Sequence, residues 1–79
     1  MKSKIKLKAG EKLRHDKHKS KGSMAQTDID YYSILNEKNE VLGYIVHEDH
    51  TSLKGFSRTQ HVTQTDINGK IIVQESWSS

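Results

Sequence analysis

The chain has 79 residues, of which 32% are hydrophobic, and it carries a formal net charge of +3 at pH 7 with no cysteine. That length admits one small domain. The composition excludes disulfides, thiol nucleophiles and zinc–thiolate sites, and no apolar run of about 18 residues marks a membrane span. The charge is unevenly placed: residues 1–23 hold nine cations against two acids, and residues 24–79 hold four against eight. The pI of 9.2 therefore describes the first segment and not the rest.

Residues 1–23, MKSKIKLKAGEKLRHDKHKSKGS, contain only Ile5, Leu7, Ala9 and Leu13 beyond Met1 as apolar residues. A helical stripe through 5, 9 and 13 is broken by Gly10, which costs about 1 kcal/mol relative to alanine. High charge and low hydrophobicity predict a flexible basic arm, extending to residue 28. Its start lacks the apolar stretch of a secretory signal, so export is not expected. A cysteine-free domain of this size points to the cytoplasm. Gly22-Ser23 followed by Met24 also reads like a cloning junction, so an expression leader is one reading of the arm. The other is a native arm whose Lys2, Lys4, Lys6, Lys8, Lys12, Arg14, Lys17, Lys19 and Lys21 contact phosphates.

From Ile29 the pattern turns to that of β-strands. Tyr31 to Asn36 mixes aromatic and aliphatic residues. Asn36 to Glu40 is turn-like, and Val41 to His47 is a second strand with Gly43 as a bulge or close approach. Glu48 to Gly55 reads as a loop. Phe56 to Thr65 is a polar third strand, with Phe56 and Val62 as its large apolar residues. Asn68-Gly69 is a strong hairpin signal and predicts positive φ at both positions. Lys70 to Trp77 closes the second hairpin. The expected fold is all-β, a small antiparallel meander of about four strands over residues 29–79. The second strand is apolar on both sides, so it should be central. The third is so polar that it reads as an edge or a solvent-facing strand. On the last strand Ile71, Val73 and Trp77 should share a face. One sheet with so few apolar residues leaves a face to be covered, which predicts self-association or a partner.

Few constellations carry chemistry. His47-Glu48-Asp49-His50 is dense in titratable groups, but its spacing fits no zinc pattern, so no metal or cofactor is expected. His47, Glu48, Asp49, Arg58, His61 and Glu75 together hold the groups of a metal-independent ribonuclease, although Arg58 should point away from His61 in a regular strand. The five glycines are scattered, and no phosphate loop results. No serine sits in an elbow-like turn, so no catalytic residue is assigned. Exposed tyrosine beside Arg58 would offer a stacking surface for bases, but the acidic balance of residues 24–79 would repel phosphates.

Three functions follow as expectations. The first is a non-enzymatic accessory module docking on a protein partner, or on itself as a homodimer, through a sheet edge or an aromatic surface built from Tyr31, Tyr44, Arg58, His61 and Trp77. The second is a nucleic-acid-associated protein that uses residues 1–23. The third is a small ribonuclease.

Overall fold

The structure, a computed structural model, describes residues 4–22, 25–52 and 58–78. Phe56, Lys2 and the Ser23-Met24 junction lie outside the described residues. Five antiparallel strands form one sheet in chain order: β1 (Lys12–Gly22), β2 (Ala25–Leu35), β3 (Val41–Ser52), β4 (Arg58–Asp66) and β5 (Ile71–Ser78). The all-β meander is as expected, with five strands in place of four. The extra strand, β1, comes from the segment expected to be a flexible arm. Its pairing with β2 runs from Lys12–Leu35 to Gly22–Gln26, so backbone bonds hold a strand that has almost no apolar pattern of its own.

β2 and β3 are also longer than their apolar residues suggest. Glu48 to Ser52, expected as loop, continues β3 opposite Ala25 to Ile29. The sheet is accordingly long and narrow, 45 × 20 × 19 Å. Its radius of gyration of 13.8 Å exceeds the roughly 11.5 Å of a compact chain of this length.

The β2–β3 and β4–β5 turns share one design. Asn36 Oδ1 accepts bonds from the amides of Lys38 and Glu40, at 2.8 and 2.9 Å. Asp66 Oδ1 accepts from Asn68 and Lys70, both at 2.9 Å. The fourth residue of each turn, Asn39 or Gly69, has positive φ. This is a type I turn followed by a left-handed residue. Asn68 does not take the positive φ expected of it, because the loop is longer than a two-residue turn. Each turn is followed by a register shift, between Ile34 and Leu35 and between Gln64 and Thr65. These shifts step over Leu42 and Ile72, which stay 40% and 45% exposed. The second shift sets Ile71 opposite Thr65 while Val73 sits opposite Gln64, so Ile71 does not continue the Val73–Trp77 row.

The main core cluster lies on one face, around Ile34, Ile45 and Val62, while Ile29 and Leu35 are buried among the side chains of the opposite face. Ile5 and Leu7 of the N-terminal segment pack on the main cluster with Leu13, Tyr32 and Trp77. Between Ile5 and Leu7, Lys6 N donates to Gln64 Oε1 at 2.7 Å, and Gln64 Nε2 donates back to Lys6 O at 2.8 Å. This covered face thus takes part of its apolar cover from the chain itself. β3 is central, as its two-sided apolarity implies. β4 is not an edge: it lies between β3 and β5, with Val62 and Gln64 buried. Its polarity misleads because Gln64 is sealed by backbone bonds from the N-terminal segment. The sheet edges are β1 and β5.

Candidate functional site

β1 carries cations at 12, 14, 17, 19 and 21. Residues two apart in a strand share a face, so the even pair and the odd triplet should point opposite ways. They do not, because the β1–β2 register shifts between His15 and Lys17. Asp16 is the residue stepped over. This β-bulge changes the strand's phase: Arg14 stands opposite Ser33, Lys17 opposite Tyr31, Lys19 opposite Ile29 and Lys21 opposite Thr27. All four β2 partners lie on the open face, away from Ile34 and Tyr32. Five exposed cations therefore form one row about 26 Å long at a pitch of roughly 6.6 Å.

The bulge is anchored by its own side chain. Asp16 Oδ1 accepts from Arg14 Nε at 2.7 Å, and Asp16 Oδ2 accepts a short bond from the buried Ser33 hydroxyl. The Ser33 bond and then the Arg14 bonds hold the Asp16 carboxyl below the usual carboxylate range. Among the described residues, Lys12, Lys17, Lys19 and Lys21 have no carboxylate partner.

The rest of the open face adds rings and hydroxyls. Lys19 Nζ lies 6.0 Å from the centre of the Tyr31 ring. Tyr31 stands opposite Val46, and Tyr44 opposite Ser33, so the two rings are diagonal neighbours on β2 and β3. Tyr44 is 42% exposed. Beyond Lys21, Thr27, Glu48, His50, Thr59, His61 and Ser76 line a shallow depression of about 370 Å³. In it Thr27 Oγ1 and His50 Nδ1 bond at 2.6 Å, and His61 Nδ1 bonds Ser76 Oγ.

Of the eight acids of residues 24–79, Asp28, Asp30, Asp49 and Glu75 sit on the other face, Glu37, Glu40 and Asp66 lie at the turns, and Glu48 is on the open face. Asp28, Asp49, Gln60 and Trp77 form one cross-strand row, and Asp30, His47, Val62 and Glu75 form the next. Arg58 Nε donates to both oxygens of Asp49, at 2.9 and 3.0 Å, and this bonding lowers the Asp49 carboxyl. His47 lies over Trp77, with ring centres 6.2 Å apart, and donates from Nε2 to Gln60 Oε1 at 2.9 Å. Lys4 Nζ sits 5.4 Å from the Trp77 ring centre.

The same face holds a histidine network on β1 and β2. His15 Nε2 and His18 Nδ1 both donate to Asp30 Oδ1, at 2.9 and 2.7 Å. Burial raises the Asp30 carboxyl, but the bonds from His18 and His15 outweigh it, and the net shift is downward. Ser20 Oγ donates to Asp28 Oδ1 at 2.7 Å, so its 3.0 Å bond with His18 Nε2 needs a hydrogen from the ring. The network is complete when both His18 nitrogens carry hydrogen.

The five expected binding residues are therefore divided. Tyr31, Tyr44 and His61 are on the open face, and Arg58 and Trp77 on the covered one. The expected pairing of an exposed tyrosine with Arg58 does not occur, because strand alternation puts them on opposite faces. The ribonuclease grouping is split in the same way: Glu48 and His61 face one way, and His47, Asp49, Arg58 and Glu75 the other. His47, Glu48, Asp49 and His50 alternate along β3, and among the described residues no group of histidines and acids is arranged to hold a metal. Of the expected phosphate contacts, Lys12, Arg14, Lys17, Lys19 and Lys21 form the row, while Lys4, Lys6 and Lys8 belong to the segment that leads onto the covered face. Comparison with known protein families, with characterised proteins and with solved structures finds no match.

Proposed function

We propose that the protein is a non-enzymatic nucleic-acid-binding module whose open face holds phosphates along β1. The observation that carries this reading is the Asp16 bulge, which brings five cations of mixed parity into one row. Charge segregation supports it, since Asp28, Asp30, Asp49 and Glu75 face away from that row. Tyr31 and Tyr44 lie beside it, and ring faces next to a cationic groove suit unpaired bases.

The test is binding of labelled single-stranded RNA and DNA by anisotropy between 50 and 200 mM salt. Four to five phosphate contacts on a single strand give a log–log slope of about −3 to −3.5, which is roughly a hundredfold loss of affinity across that range. A Lys17→Glu/Lys19→Glu/Lys21→Glu variant loses most of the affinity and flattens the slope, whereas Lys4→Glu does neither. Unchanged binding by the triple variant, or a salt-independent affinity, would refute the proposal.

A further inference from the structure

The open face carries one feature that a phosphate-holding surface alone does not explain. Glu48 is its one acid among the described strand residues, and it is half-buried. Among the described residues its carboxylate has no hydrogen bond or ion pair. A carboxylate repels the phosphates that the β1 row attracts, so Glu48 suits this face only where it meets a different part of the nucleotide. The sheet register says which part. Lys19, Ile29, Glu48, His61 and Ser76 form one cross-strand row. Glu48 is two strands from Lys19, about 10 Å at the usual strand spacing. That matches the reach of one nucleotide from its phosphate to the Watson–Crick edge of its base. With the phosphate at Lys19, the base lies over Ile29, a floor only 8% exposed. Its edge then meets Glu48 in the shallow depression that Glu48 lines with His50 and His61. Tyr31, next to Ile29 on the same face, takes the ring of the adjacent base. The other rows end differently on β3: Arg14 leads through Ser33 to Tyr44, Lys17 through Tyr31 to Val46, and Lys21 through Thr27 to His50. Of the four rows, that of Lys19 alone brings a base edge to a carboxylate.

We infer that Glu48 selects guanine from a single strand held on the open face, an inference that rests on the phosphate row of β1. A carboxylate only accepts hydrogen bonds, and it accepts two in parallel. Guanine alone among the bases presents two adjacent donors, N1–H and N2–H, on its Watson–Crick edge, the edge that an unpaired base leaves open. Adenine and cytosine set a ring-nitrogen lone pair beside their amino group, and uracil flanks its one N–H with two carbonyl oxygens. Each of them turns an acceptor towards the second carboxylate oxygen. The remaining atom of the guanine edge, the acceptor O6, suits a ring N–H of His50, two residues along β3. Thr27 Oγ1 bonds His50 Nδ1 at 2.6 Å; with Thr27 donating, the hydrogen of the neutral ring sits on Nε2.

The test uses the full chain and uridine heptamers whose central base is guanine, adenine, cytosine, uracil or hypoxanthine, in the anisotropy assay at low salt. The guanine strand binds about fivefold or more tightly than the adenine, cytosine and uracil strands, the discrimination of a bidentate base contact. Hypoxanthine lacks the N2 amino group and loses most of that preference, whereas stacking alone would treat it like guanine. This comparison uses the parent chain and does not depend on the fold of a variant. Glu48→Ala brings all five strands within about twofold of one another, and it binds the uracil strand no more weakly than the parent does, since a negative charge has gone. Equal, salt-dependent binding of all five strands by the parent overturns guanine selection and leaves the phosphate row standing. A guanine preference that Glu48→Ala retains, or that hypoxanthine shares in full, overturns it as well. Absence of binding to every strand overturns both readings.

Discussion

Replacing Gly43 by alanine probes the tightest approach between β3 and β4. A Cβ at this position would lie 2.4 Å from the Thr65 carbonyl oxygen and 3.5 Å from the Asp66 Cα. Both atoms are backbone of the neighbouring strand, so no side chain can turn away to relieve the contact. Restoring an ordinary separation of about 3.4 Å requires the two strands to part by roughly 1 Å. A ladder bond of about 2.9 Å stretched that far is no longer a bond, and each one lost costs about 0.5–1.5 kcal/mol. Overpacking adds about 1–3 kcal/mol, and the lower chain entropy of alanine in a strand returns about 0.5–1. The net destabilisation is about 1–3 kcal/mol. With a urea dependence of about 1 kcal/mol per molar for a small domain, the midpoint falls by about 1–3 M. Fluorescence of Trp77, the only tryptophan, reports the transition. A midpoint within 0.3 M of the parent would refute the close packing of β3 on β4. Gly69→Ala serves as the contrast: nothing lies within 4 Å of its Cβ, and its cost, about 1–2 kcal/mol, comes from the φ of +87° alone.

Ile45 is fully buried, and Ile45→Ala should cost about 2–5 kcal/mol in the same urea assay; a smaller loss would mean that the core is not closed over it. Ile5→Ser/Leu7→Ser should lower stability by about 1–3 kcal/mol through lost apolar cover, whereas an arm that never touches the sheet predicts no change. Asp16, Asp30 and Asp49 have folded-state values below the ordinary 3.8. Their stabilising bonds are therefore fully present above that value and lost as pH falls through it and lower. The urea midpoint should hold through neutral pH and drop below about pH 4, with a smaller drop in Asp49→Asn; a midpoint flat down to pH 2 would contradict the ion pairs.

What the sequence discloses is the part of the fold written in apolar residues and turn chemistry. Tyr31 to Asn36, Val41 to His47 and the Asn68-Gly69 turn announce two hairpins, and apolar residues on both sides of β3 announce its central place. β1 is hidden because its stability comes from pairing with β2 and from polar side chains, and in isolation its repeated lysines argue for disorder. The clue lay in the cations themselves: each set recurs with the period of a strand, at 12 and 14 and again at 17, 19 and 21, with one extra residue between them. The placement of Gln64 inside could not be read from β4, since its partner Lys6 is 58 residues away. The division of Tyr31 and His61 from Arg58 and Trp77 was legible from alternation alone once β4 and β5 were in register.

The bulge at Asp16 ties residue count to backbone shape in this strand. Exchanging one lysine for another cation leaves the display intact. Removing the stepped-over residue together with the bulge leaves it intact as well, because Arg14 and Lys17 would then stand two apart in a regular strand. Flattening the bulge while keeping every residue works like a frameshift. Every side chain beyond it would change sides: Lys17, Lys19 and Lys21 would turn in among Asp28, Asp30 and Asp49, and His18 and Ser20 would turn out to solvent. Chains descended from this one should therefore keep the extra residue and the bulge together or lose them together.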